Sequence, residues 1–187
     1  MNKKNIAADI HRLLEGFFSR KSGVFEKSIG ASVAALKAGK KILAFGNGGS
    51  AAEAQHFVAE IVNKFLKMRP ALRAVALTTD TSVLTSIGND IAFDALFSRQ
   101  IEALGDSGDV AVALSTSGNS PNIIKALEAA KEKGLATIGL SGEGGGKMAA
   151  FCDYLLDVPS TSTPRIQEVH LVLLHILAEE IENRFFI

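Results

Sequence analysis

The chain lacks a second cysteine. Cys152 stands alone among 187 residues, so no intrachain disulfide and no cysteine-cluster metal site can form. One thiol fits a reducing compartment, and a cytoplasmic protein is expected. Net charge is missing too, because twenty Lys and Arg offset twenty Asp and Glu. That balance removes the electrostatic argument for nucleic acid or an anionic membrane as the main partner. It is uneven, since residues 1–41 hold nine basic and three acidic side chains, an excess that a solvated helix face accounts for. Nor is there any window near the roughly 20 apolar residues that a membrane span needs. The longest apolar run, Val169 to Ala178, is interrupted by His170 and His175. The first twenty residues scatter charge through their apolar positions, so no secretory leader is read. With no internal repeat, heptad seam or low-complexity linker, a single domain over 1–187 is expected.

What is present is a change of pattern near Lys41. Before it, Ile6, Ile10, Leu13, Leu14, Phe17 and Phe18 recur at helical spacing and predict an amphipathic helix over 2–20. Phe25, Ile29, Val33 and Leu36 predict a second, ended by Gly39. After it, short apolar runs at 41–45, 72–77, 109–115, 135–141 and 153–159 alternate with helical stretches. The alternation predicts an α/β protein: a three-layer αβα, doubly wound, five-stranded parallel sheet of order 2-1-3-4-5, preceded by N-terminal helices. In such a sheet the ligand crevice lies beyond the carboxyl ends of strands 1 and 3, where the strand order reverses.

Two loops converge on that point, Gly46-Asn47-Gly48-Gly49-Ser50 and Ser115-Thr116-Ser117-Gly118-Asn119-Ser120. The second carries four hydroxyls, and Pro121 stands in the favoured first helical position after Ser120 as N-cap. Free backbone N–H groups and the helix dipole make such a start a phosphate site. A plain hydroxyl-rich cap is the competing reading, but a cap needs only one serine. No lysine sits as in a Walker A loop, which argues against a nucleoside triphosphate. Gly46 to Ala51 nominally fits a dinucleotide fingerprint, yet the acidic residue that should accompany it, Asp80, comes about ten residues late. A third loop, Ser141 to Gly146, follows strand 4.

Titratable candidates lie on two helices. His56 and Glu60 are four apart and share a face just downstream of the glycine loop. The last helix carries Gln167, His170 and His175 in a stretch that should be buried, and a buried imidazole needs a partner. Gln167 and His175 stand about 80° apart around the axis and about 12 Å along it, so they share one centre only at full reach or across two subunits. Spacing does not exclude His170. His11 reads as surface, and Gly88-Asn89-Asp90 by itself reads as a turn.

Taken together, FGNGGSAAEAQHFVAEI at 45–61, LTTDTSVLTSIGND at 77–90, LSTSGNSPNIIKAL at 114–127, SGEGGGKM at 141–148 and STPRIQEVHLVLLH at 162–175 resemble the sugar isomerase (SIS) domain proteins, and among them the phosphoheptose isomerases. The resemblance implies an aldose–ketose isomerase acting on sedoheptulose 7-phosphate, at the first step towards ADP-heptose for lipopolysaccharide or capsule. It implies substrate contacts at Asn47, Gly48, Gly49, Glu60, Asn89, Asp90, Ser115, Thr116, Ser117, Ser120 and Gln167. It implies a catalytic pair, Glu60 and His175, and one zinc ion per subunit on His56, Glu60, Gln167 and His175. It further implies a homotetramer whose contacts use the helical preface at 1–39. Lys64 departs from the arginine expected there and loses its bidentate fork. Two other classes compete: a non-catalytic SIS protein that senses a sugar phosphate or binds a replication initiator, and a dinucleotide-dependent oxidoreductase. Retention of both Glu60 and His175 argues against the first, and the serine loop against the second.

Overall fold

A computed structural model describes residues 3–186; residues 1, 2 and 187 of the single-domain expectation lie outside the described residues. The apolar spacing predicts two N-terminal helices, but the chain forms one, α1 (Lys3–Lys37). Nothing in the sequence stops it. Gly23 and Gly30 each weaken a helix by roughly 0.5–1 kcal/mol relative to alanine without breaking it. The hydroxyls of Ser28 and Ser32 donate back to the carbonyls of Phe25 and Ser28, so neither caps a new start. The predicted stop does hold. Gly39 adopts a φ of +75°, and the N–H groups of Gly39 and Lys40 donate to the carbonyls of Leu36 and Ala35, a Schellman ending. Phe17, Phe18 and Phe25 meet edge-to-face with centroids 5.3–6.1 Å apart and tie α1 to the core.

The five strands are β1 (Ile42–Gly46), β2 (Ala74–Ala76), β3 (Val110–Ser115), β4 (Ala136–Ser141) and β5 (Tyr154–Asp157). All pairings are parallel and the order is β2-β1-β3-β4-β5, as expected. The helices after α1 are α2 (Gly49–Val62), α3 (Thr81–Asp90), α4 (Ser98–Leu104), α5 (Pro121–Glu132) and α6 (Thr163–Phe185). Successive strand side chains point to opposite faces. Ile42 and Ala44 join a core with α1, α2 and α6, while Leu43 and Phe45 join another with α3, α4 and α5. Three layers result, and nearly every residue of β1 and β3 is buried, as a sheet covered on both sides requires. No described helix is long and apolar enough to cross a membrane.

One correction concerns the last helix. The fully buried imidazole is His170, not His175. Five residues turn a helix by about 140° beyond a full circle, so the two rings face different neighbours. His170 Nε2 donates to the Ser141 carbonyl at 3.1 Å, pinning α6 to the end of β4, and burial pushes its pKa down to about 4. His170 is therefore the core histidine, and the half-buried His175 is free to meet α2.

Candidate active site

The first two loops meet across the β1–β3 crevice. Asn47 and Asn122 exchange amide hydrogen bonds of 2.9 and 2.8 Å, joining the glycine loop to the first turn of α5. Both amides are thereby fixed, and Asn122 is buried. A cavity of about 240 Å³ opens beside them, lined by Asn47, Gly49, Ser50, Ser115, Thr116, Ser120, Thr163 and Gln167. Ser115 Oγ donates to Ser120 Oγ at 3.3 Å. Ser120 stands at the N-cap of α5 but its hydroxyl makes no cap bond, so the cap reading of the serine loop fails for that side chain. Gln167 Nε2 donates to Ser50 Oγ at 3.5 Å and lies over Gly49, where a Cβ would come within 2.5 Å of that nitrogen. A side chain at 49 would displace the glutamine.

The third glycine loop supports the serine loop from behind. Gly142 N–H donates to the Thr116 carbonyl and Met148 N–H to the Gly118 carbonyl, at 3.0 and 2.9 Å. Gly118 has a φ of +65°, and a Cβ there would lie 2.0 Å from the Gly145 carbonyl oxygen. Ser117 is exposed and accepts from the Asn119 N–H at 3.1 Å, outside the cavity lining. Asn89 and Asp90 end α3, exposed and bonded to each other at 2.7 Å. They line neither cavity at the crevice. Their neighbour Gly88 lines the second, of about 470 Å³, together with Asn47, Gly48, Thr78, Phe93 and Phe97. Asp80, the acidic residue a dinucleotide site would need, spends its carboxylate capping α3 at the Val83 N–H.

Helices α2 and α6 run side by side in the same direction, touching first at Ser50–Gln167 and then at His56–His175. Two turns below the glycine loop, His56 Nε2 and His175 Nε2 are 2.8 Å apart. Glu60 Oε1 lies 3.5 Å from His56 Nε2. The structure thus gathers His56, Glu60 and His175, while Gln167 stays with the serine-loop cavity. The Phe65 ring stands 5.7 Å from the His175 ring. Lys64 lies half-buried in the loop after α2. One turn below Ser50, Glu53 is buried; desolvation pushes its carboxyl up to about 7, opposed by the Ser50 hydroxyl. Cys152 is inert by comparison, since burial pushes its thiol up to about 12. Sequence reasoning missed Ser50, Asn122 and Thr163. Asn122 was the findable one, because a polar side chain in the first turn after a serine loop points back at the crevice.

A parallel sheet with glycine and serine loops meeting at its switch point is the architecture of a SIS domain, and the SIS-domain family model matches residues 7–142. A phosphoheptose isomerase of Desulfovibrio desulfuricans is 54% identical over 173 residues, covering 92% of this chain and 82% of that relative. One from Burkholderia pseudomallei is 49% identical over 184 residues, covering 97% and 93%. The solved phosphoheptose isomerase of Neisseria gonorrhoeae superposes with a TM-score of 0.88 at 46% identity, covering 94% of each chain. The chain belongs to the phosphoheptose isomerase family.

Proposed function

We propose that the protein isomerises sedoheptulose 7-phosphate to D-glycero-D-manno-heptose 7-phosphate through an enediol. Family membership gives the reaction class. The observation that carries the reading is the placement of two unlike sites along one helix pair. The serine-loop cavity presents hydroxyls and helix N-termini, which suit a phosphate. About 12 Å further along α6 lies His175, with Glu60 and His56 opposite. Three bonds of an extended chain span about 3.5 Å, so seven carbons and a terminal phosphate reach roughly 10 Å. A long sugar phosphate anchored at the serine loop would bring its far end towards Glu60 and His175.

Moving the carbonyl from C2 to C1 needs a proton taken from C1 and one delivered to C2. Glu60 takes the first onto its carboxylate and returns it to C2 on the same face. His175 gives a proton to the C2 oxygen and accepts the one leaving the C1 oxygen, a task suited to an imidazole, whose ring nitrogens can give and take a proton. Gripping the remote phosphate fixes C1 and C2 relative to both groups. Asn47, Gly48, Gly49, Asn89, Asp90, Ser115, Thr116, Ser117, Ser120 and Gln167 are the proposed substrate contacts.

The donor types suit zinc, two imidazole nitrogens and a carboxylate oxygen, but among the described residues no three such side chains are arranged to hold a metal ion: the two nitrogens stand 2.8 Å apart, bridged by a single proton. Ligands at about 2.0–2.1 Å from a tetrahedral zinc stand slightly further apart than that. His56, Glu60 and His175 would hold it; Gln167, the fourth ligand expected from the resemblance, is turned to Ser50 in the serine-loop cavity and does not join them in this arrangement. When bound, the ion supplies Lewis-acid polarisation of a carbonyl. A carboxylate on a cation is a poorer base, so Glu60 cannot be ligand and base at one moment. We further expect a cytoplasmic homotetramer in the ADP-heptose route, using α1; Leu66 and Met68, exposed in the loop after α2, are apolar surface of the kind a subunit contact would cover. Incubation with sedoheptulose 7-phosphate, followed by NMR, should show the aldose appearing. A purified chain that leaves the ketose unchanged rejects the reading.

A further inference from the structure

The loop between α2 and β2 wraps around one buried carboxylate. Glu182 lies seven residues beyond His175, on the same stripe of α6. Its Oε1 accepts from the N–H groups of Leu66 and Lys67 at 2.9 and 2.8 Å. Its Oε2 accepts from the Phe65 N–H at 2.9 Å and from Arg69 Nε at 2.8 Å. The Glu182 and Arg69 side chains are 1% and 3% exposed. Arg69 then spends further donors on carbonyls: Nη1 bonds Ile61 at 3.0 Å and Nη2 bonds Glu60 at 2.7 Å at the end of α2, and Nη1 also bonds Pro70 at 3.1 Å in the loop.

Each end of this clamp returns to a reacting group. Arg69 caps the last turn of α2 at Glu60 itself, satisfying carbonyls the helix leaves open. The loop held by Glu182 carries Phe65, whose ring lies against His175. A buried ion pair is a poor choice for stability alone, because desolvation offsets much of its attraction. Neither side chain lines either cavity at the crevice.

We propose that Glu182 and Arg69 are positioning residues that set the separation of Glu60 and His175 across the α2–α6 pair. The proposal rests on the catalytic assignment above. It is tested with Glu60→Gln, Glu182→Gln, Arg69→Met, the double variant Glu182→Gln/Arg69→Met, and Arg69→Lys. Each is measured for thermal midpoint and for kcat and KM on sedoheptulose 7-phosphate. Removing one partner leaves the other charge buried and alone, so each single loss should lower both midpoint and kcat, the latter about tenfold or more. Removing both relieves that charge but leaves the carbonyls of Glu60 and Ile61 without their donor, so the midpoint should recover in part while kcat stays down and KM holds within about threefold. A purely structural pair predicts that kcat recovers with the midpoint, and that result overturns the proposal. Should the methionine variants fail to fold, Arg69→Lys decides. It keeps the charge and loses the fork, so it should fold with kcat reduced about fivefold at unchanged KM; a wild-type kcat overturns the proposal. Full turnover by Glu60→Gln would reject the underlying assignment instead, and this proposal with it, and is read from that variant alone.

Discussion

At their N-terminal ends α2 and α6 hold Gly49, Ser50, Thr163 and Gln167 beside the serine loop, and none of these four ionises. Two turns further on, the same helices hold His56, Glu60 and His175, all of which can change charge. One end offers fixed dipoles and hydroxyls, which hold an anion without themselves changing charge. The other offers movable protons. Keeping them apart on rigid helices lets the grip on the substrate and the chemistry on it be set independently.

That separation can be broken first at the chemical end. Glu60→Gln and His175→Gln should each lower kcat by about 10³-fold, within the range a lost acid–base group costs. Inhibition by inorganic phosphate should be unchanged in both. A variant that turns over normally, or one that loses phosphate binding to the same degree, would merge the two ends. Next comes Gly49→Ala, whose methyl would stand 2.5 Å from Gln167 Nε2 and push that side chain out of the cavity. We expect kcat/KM to fall about 10–100-fold, as misplacement by an ångström can cost, with the fold intact because a glutamine side chain can swing. Unchanged kinetics would show that Gln167 has no part in the grip.

A smaller effect is expected at Asn122. Asn122→Ala removes both bonds to Asn47, leaving a polar group unpaired at a cost of about 1–3 kcal/mol in stability. Steady-state kinetics should show KM raised several-fold and kcat little altered, since the substitution lies at the anchoring end. A kcat defect at constant KM would contradict this.

The smallest expected effect is a near-cancellation. His170 has a folded pKa of about 4 against 6.5 for the free group. The unfolded chain therefore binds more protons between those values, and the histidine's contribution is full above 6.5 and lost as pH falls towards 4. Glu53, at about 7 against 4.5, does the reverse: its contribution is full below 4.5 and lost as pH rises through 7. Over pH 4.5–6.5 the slopes oppose, so urea midpoints should stay nearly level for these two groups. Glu53→Gln exposes the His170 slope, and stability should then rise with pH by about 2–3 kcal/mol over that window. A flat profile in the variant would show that His170 is not held neutral.

The covered parallel sheet was legible because each strand is a near-continuous apolar run between turn-forming loops; its order was chosen as one of the common doubly wound arrangements, and the strand pairings give that order. The join in α1 was not: an interruption in apolar spacing looks like a break, and only tertiary packing of Phe17, Phe18 and Phe25 shows the helix running through it. In the site, loop composition pointed to the crevice and the four-residue spacing of His56 and Glu60 to a shared face. Which histidine of α6 would be buried could not be read from hydropathy, since both interrupt the same apolar run. The partner at Ser141 is 29 residues away and visible only once β4 and α6 are packed. The reach from Glu182 to Phe65 and Arg69 is longer still, and nothing in local composition announces it.

The near-touch of Gly118 on the Gly145 carbonyl has a practical consequence for anyone wishing to retool the specificity of this scaffold. Two stretches of main chain there leave no volume for even a methyl group, so that hinge of the anion cradle is closed to mutational search. Diversity has to be introduced in the neighbouring cavity, at Thr78, Phe93 and Phe97, whose side chains libraries can vary in shape without dismantling the cradle.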